Sequence, residues 1–354
     1  LPLKVFASTI VGRPLVARAS SNASRIAGRL CPSMTTACQP NARQRAASAS
    51  MSCPHIVARL WPEAYVTTSH EVLAEFRGLS PADRDKLVKA LGDKINVYES
   101  PWCCVLVVSL NAKKKPFDDP RVRRALSLAV DRWAGAQALQ KIALVKWVGG
   151  VLRPGYDLAA TNEEVFKYPG FGKDIKKSRA EARRLLKEAG VPNLKFKFTN
   201  RNIPMPYTPV GVFLIDQWRQ IGVTVEHEQL QTKLYQAALR GGNYEVGLDF
   251  NCDFMDEPNL NLQKYISSDR SSINYSGYND RTLDGLFDKQ IRAKTTAERK
   301  KYLRQFEQRV MDEAYIVPTI WWHRTIVTWK WLKGWHMSPS HYLNQDLSDV
   351  WLDQ

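Results

Sequence analysis

The stretch KKKPFDDPRVRRALSLAVDR, Lys113–Arg132, carries the decisive reading of this sequence. Its density of Lys and Arg admits two interpretations, a basic arm that grips phosphate or the charged flank of a helix. Asp119 can cap a helix, Pro120 suits its first turn, and Val122, Leu126, Ala129 and Trp133 recur at helical spacing. Arg121, Arg123 and Arg124 fall on the flanks of that face, with Asp118 and Asp119 beside them. Charge runs on helices are usually solvated faces, so the segment reads as the polar side of an amphipathic helix.

Working outward, the pattern on both sides is regular. Upstream, SPADRDKLVKAL opens with Ser80 as cap and Pro81 at the first helical position, and INVYES and CVLVVSL read as strands. Downstream, SRAEARRLLKEAGV predicts a helix with Ala182, Leu185, Leu186 and Ala189 inward and Gly190 as its stop. NLKFKFTNR alternates as a strand, TPVGVFLIDQWRQIGV is a helix ended by Gly222, VTVEHEQL a strand, KLYQAALRGG a helix and YEVGLDFNCD a strand. On the VTVEHEQL strand His227 must face away from Glu226 and Glu228. This alternation predicts an α/β fold with a mixed, mostly parallel sheet flanked by helices. Asp280 to Val310 reads as one long charged helix with a break, and Trp329 and Trp331 flank Lys330 in a strand pattern with one aromatic face.

Composition bounds the rest. The chain has 354 residues, 44% hydrophobic and 24% charged, with a formal net charge of +16, and no apolar run long enough to span a bilayer. Half of that charge lies before the first acidic residue, Glu63, where Lys4, Arg13, Arg18, Arg25, Arg29, Arg43, Arg45 and Arg59 stand in an Ala/Ser-rich stretch without periodicity. Residues 1–52 therefore read as a basic leader, unfolded or not native structure, with the composition of an organelle transit peptide and a poor match to a secretory signal. The six cysteines, at 31, 38, 53, 103, 104 and 252, lack metal-site spacing, and Cys103 and Cys104 read as buried thiols pointing to opposite faces of a strand.

The sequence offers no nucleophile elbow, P-loop, metalloprotease motif or dinucleotide fingerprint. A Cys252–His323 pair has nothing local to activate its thiol. The segment DFNCDFMDEPNLNL, Asp249–Leu262, puts Asp249, Asp253, Asp256 and Glu257 at the C-terminal end of a strand, where open α/β sheets present ligands. Three readings stay open: aspartates capping loop amides, a carboxylate for a ligand amine, or oxygen ligands for Ca²⁺ in a loop without the usual glycine.

SLNAKKKPFDDPRVRRALSLAVDR resembles the signature segment of the extracellular solute-binding proteins of family 5, the peptide-binding receptors of bacterial ABC importers, at Asn111, Pro116, Phe117, Asp118, Asp119, Val122, Arg123, Arg124, Ala125 and Leu126. The likeness continues through EARRLLKEAGVPN, LIDQWRQIGVTVE, the turn before Glu257–Pro258 and YIVPTIWW, from Leu79 to Leu352. It implies a lobe of a class II periplasmic-binding-protein fold that closes over a solute, with residues 53–107 a remnant of a first lobe, 108–317 the second lobe and 318–354 strands returning to the first. The chain is then expected to be the C-terminal part of a longer receptor. By position relative to Glu257–Pro258, the resemblance implies that Asp253 pairs with a peptide α-amino group, with Asp256 as the fallback and Asn251, Cys252 and Tyr275 as neighbours. The partners implied are a peptide or small solute and membrane permease subunits, in the periplasm or on the extracellular side, with a monomeric, non-enzymatic protein, no cofactor, no metal and no nucleic acid. The rival reading is a basic module binding nucleic acid or anionic membrane through Lys113–Lys115, Arg121–Arg124 and the leader.

Overall fold

The computed structural model describes residues 66–68, 71–75, 79–252, 255–340 and 347–353. The basic leader, with Cys31 and Cys38, lies outside the described residues, as do Cys53 and Asp253. In chain order the elements are β1 (Val66–Thr68), β2 (Glu71–Glu75), α1 (Pro81–Leu91), β3 (Ile95–Leu110), α2 (Pro120–Leu128), α3 (Arg132–Leu139), β4 (Val145–Trp147), α4 (Asn162–Val165), α5 (Ile175–Glu188), β5 (Lys195–Arg201), α6 (Tyr207–Arg219), β6 (Thr224–Leu230), α7 (Thr232–Arg240), β7 (Val246–Cys252), α8 (Pro258–Leu262), α9 (Arg281–Arg292), α10 (Thr296–Glu313), β8 (Ile316–Trp329), β9 (Leu332–Lys333) and β10 (Trp351–Leu352).

The fold is α/β around an eight-stranded mixed sheet in the order β1-β2-β8-β3-β7-β5-β6, with β4 paired to β8. Among the described residues, parallel pairing is confined to β5 with β6 and β5 with β7; β3 runs antiparallel to both β7 and β8. Parallel pairs are thus a smaller share than the alternating pattern predicts, because only β5-α6-β6-α7-β7 is wound by helical crossovers. INVYES and CVLVVSL are one strand, β3, whose pairing with β8 is irregular between Pro101 and Val105, where proline cannot donate to the ladder.

Phe196 and Phe198 of β5 point to a core where Trp218 of α6 packs edge-on against both rings at 5.4 and 5.0 Å. The Trp218 indole N–H donates to Leu126 O of α2 at 3.0 Å, tying two helices together over the same face. His227 of β6 stacks on Phe198 at 5.9 Å, opposite to Glu226 and Glu228, which face Lys197. Gly190 and Gly222 end α5 and α6 at φ +76 and +86, a region that costs glycine nothing.

The basic stretch is structural, but not in the way its charge suggests. Ser80 and Asp119 cap α1 and α2 as expected, Asp119 accepting from Arg121 N–H. Arg123, however, is buried rather than solvated. Its guanidinium donates to Glu313 O at 2.9 Å, Phe117 O at 3.0 Å and Asp118 O at 2.9 Å, and lies 4.1 Å over the Tyr315 ring. Arg124 donates to Asp312 O, and Arg121 to Glu188 O at 2.9 Å. These arginines supply donors to the carbonyl ends of α10 and α5, where helices leave acceptors unmet. Asn111, at the end of β3, donates to Gly242 O and Tyr244 O at 3.0 and 2.9 Å and so fixes the approach to β7.

The charged stretch from Asp280 is two helices, α9 and α10, with Thr295 capping the second through Glu298 N–H. β8 ends at Trp329, and Trp329 and Trp331 stack across the turn that follows, 6.2 Å apart and 13° from parallel, rather than sharing one strand. No helix among the described residues is long and apolar enough to cross a membrane.

Candidate functional site

Side chains alternate along β7, and the face bearing Gly247, Asp249 and Asn251 meets α7. The meeting is close: a Cβ at Gly247 would lie 2.7 Å from Leu239 Cδ2. Tyr235 of α7 is buried, and its hydroxyl donates to Leu248 O at 2.6 Å. Burial, with the Asp249 charge adding to it, holds that phenol well above the ordinary tyrosine range, so it stays a donor.

Beneath Tyr235 lies a buried ion pair. Lys264, in the turn after α8, donates to Asp249, and each side chain is only 3% exposed. The Lys264 ammonium also lies 4.1 Å from the centroid of the Tyr275 ring. Two charges so far from water persist only when matched in this way. Tyr244 donates to Tyr275 O at 2.8 Å and holds that loop in place.

Tyr235, Asp249, Lys264 and Tyr275 line a cavity of about 240 Å³ between α7 and the C-terminal half of β7, whose walls also include Gln236, Arg240, Phe250, Asn251, Cys252 and Ile273. Asn251 donates to Asn261 O at 3.0 Å. Cys252 is joined to Cys104 of β3 by a disulfide across the antiparallel pair. The expectation of buried thiols at Cys103 and Cys104 is therefore corrected for Cys104, and Cys252 has no thiol to pair with His323. His323 instead lies 3.4 Å from Glu99 and accepts from the Trp147 indole at 3.3 Å.

Of the expected site residues, Asn251, Cys252 and Tyr275 line this one cavity, whereas Asp256 is not among its walls. Arg153 holds Asp256 through two hydrogen bonds of 2.9 and 2.6 Å. Glu257 caps α8, accepting from Asn259 N–H at 3.1 Å, and pairs with Arg299. Asp249, Asp256 and Glu257 thus each have a cation of their own. Among the described residues no grouping of three or more His, Cys, Asp or Glu could hold a metal ion. The sequence reading missed Lys264, Tyr235, Gln236 and Arg240. For Tyr235 and Leu239 the helical spacing in KLYQAALR was a usable signal; for Lys264, in a polar loop, there was none.

A second hollow, about 580 Å³, opens at the N-terminal ends of β5 and β6. There Lys197 is shared between Glu226 and Glu228, at 3.5 and 3.4 Å.

Comparison with known proteins identifies the family and the fold. Residues 71–272, more than half of the chain, match the family described as bacterial extracellular solute-binding proteins, family 5 middle. The periplasmic oligopeptide-binding protein OppA of Escherichia coli K12 is 26% identical over 253 residues, covering 70% of this chain and 45% of that protein. Heme-binding protein A of Haemophilus influenzae is 26% identical over 232 residues, covering 64% and 40%. Among solved structures, the periplasmic binding protein DppA of Helicobacter pylori in complex with the peptide STSA superposes with a TM-score of 0.66 at 19% identity, over 86% of this chain and 55% of that one. Haemophilus influenzae OppA in complex with RPPGFSPFR gives 0.65 at 20%, over 84% and 56%. The chain spans about half the length of the relatives it matches. On the extent of the matched segment and the shared fold, this chain belongs to the bacterial extracellular solute-binding proteins of family 5.

Proposed function

We propose that this chain is the solute-holding lobe of a receptor that captures a peptide or related solute and delivers it to an ABC permease, binding its ligand without chemical change. The observation that carries the reading is the β7 cavity, set at the C-terminal end of a strand where open α/β sheets bind ligands and walled, apart from Ile273 and Tyr275, by residues of the family segment. β3 and β8 support a closing motion. They lie side by side in the sheet, and the expected lobe boundaries, 107/108 and 317/318, fall within them, so both passages between lobes would bend at one place. The Cys104–Cys252 bond suits an oxidising compartment, consistent with relatives named as periplasmic.

We assign the contact with a ligand α-amino group to Asp253, the residue directly after Cys252, because Asp256 already has Arg153 as partner. The test is titration calorimetry of short peptides against the full chain and its Asp253→Asn variant. Loss of a charge-assisted hydrogen bond is worth about 1.5–3 kcal/mol, or roughly ten- to a hundredfold in affinity. A change smaller than about threefold removes Asp253 from that role. Absence of peptide binding would remove the reading itself, and a binding partner whose affinity fell steeply with salt would favour the basic-module alternative.

A further inference from the structure

The donors and acceptors around the β7 cavity do not balance. Asp249 is the sole carboxylate on its described walls, and it is taken up by Lys264, with Ser109 and Tyr235 hydroxyls each 3.5 Å away. On the donor side, Arg240 stands exposed in the last turn of α7, and Gln236 lies one turn before it on the same helix face. Neither side chain has an ion pair or hydrogen bond among the described residues. The walls therefore carry two cations against one anion, with an unspent guanidinium at the rim and an unspent amide beside it.

We propose that this cavity is a subsite for a ligand carboxylate, received by Arg240 and Gln236, while the Lys264 ammonium stays matched by Asp249. Among the described walls a cationic ligand group would find no free carboxylate, Asp253 beyond Cys252 lying outside them, whereas an anionic one finds a planar fork of N–H donors. The size fits one group and not a whole ligand: about 240 Å³ falls below the roughly 300–1,000 Å³ of cavities that enclose a drug-sized molecule. Tyr275, Leu239 and Phe250 offer apolar wall for the carbon stem. This inference rests on the solute-binding reading above and adds the chemical class of one ligand group. The carboxylate has two sources, an acidic side chain or the free C-terminus of a short peptide.

Calorimetry on the full chain separates them. The ligands are alanine tripeptides carrying Glu or Gln at each position in turn, each with a free and an amidated C-terminus. One conversion of carboxylate to amide is expected to weaken binding about tenfold, the Glu-to-Gln change if the group is a side chain and amidation if it is the terminus. Arg240→Gln is expected to shrink that ratio to below about twofold. The proposal is overturned if peptides bind but acid and amide forms agree within about twofold, or if the ratio persists in Arg240→Gln. If none of the peptides binds, the solute-binding reading falls and takes this subsite with it, an outcome distinct from binding without charge preference.

Discussion

Arg153 grips Asp256 with its Nε and one terminal nitrogen, at 2.9 and 2.6 Å, in a fork that spans more than a hundred residues of chain. The arginine side chain is 10% exposed and the aspartate 31%, so the pair is partly shielded from solvent. Such a contact anchors the loop after β7 to the segment after β4, which is a structural role. Asp256→Asn should therefore lower stability by about 1–3 kcal/mol, the cost of leaving a buried charged donor half-satisfied. Urea unfolding measures it. If Asp256 were the partner of a ligand amine instead, the same change would leave the unfolding midpoint alone and weaken peptide binding.

The Asp249–Lys264 pair should behave differently from that partly shielded fork, because both groups are almost wholly removed from water. Lys264→Met alone strands a carboxylate and should cost about 3–5 kcal/mol. The double change Asp249→Leu with Lys264→Met removes both charges and should recover most of the loss. A double variant as unstable as the single one would show that the hydrogen bonds around Asp249, not its charge, carry the energy.

How far the molecule was legible from its sequence follows from the range of each interaction. Local signals were sufficient where the physics is local: Asp119 and Pro120 open α2, Gly190 and Gly222 close α5 and α6, and the alternation of Phe196 and Phe198 marks β5. They failed where a partner lies far along the chain. Nothing beside Arg123 announces the Glu313 carbonyl or the Tyr315 ring, so its charge read as solvated. Nothing beside Lys264 announces Asp249, and Cys104 carries no mark of Cys252, 148 residues away. The antiparallel pairing of β3 with β8 is likewise invisible to periodicity, which reports faces and not neighbours.

Two histidines give the fold a pH dependence whose sign is determined. Burial pushes the His227 imidazole below its ordinary value. Burial does the same to His323, reinforced by the Lys146 and Arg84 charges and opposed by Glu99. The unfolded chain then takes up its protons first, near pH 6.5, so unfolding binds protons and stability rises with pH. Stability should be complete above about pH 6.5 and be lost as pH falls through the window beneath it. Replacing both residues by Gln should flatten the dependence of the urea midpoint between about pH 7 and 5.5. A wild-type midpoint that rises on acidification over that range would contradict the assignment.

The Cys104–Cys252 bond joins β3 to β7 at the rim of the cavity and closes a loop of 148 residues. Both strands are held in place by neighbours on their other sides, so the bond acts chiefly by restricting the unfolded chain. Cys252→Ser should accordingly cost about 2–5 kcal/mol, with the loss reproduced by reductant in the wild type and absent when reductant is added to the variant. The single substitution also leaves Cys104, nearly buried in β3, as a thiol in an apolar setting. Such a group is slow to react, so alkylation of the folded variant should be far slower than that of the unfolded one. Peptide mapping without reductant should recover the two cysteines in one linked fragment. Recovery of both as alkylated thiols from protein folded in an oxidising buffer would show that the strands pair without the bond.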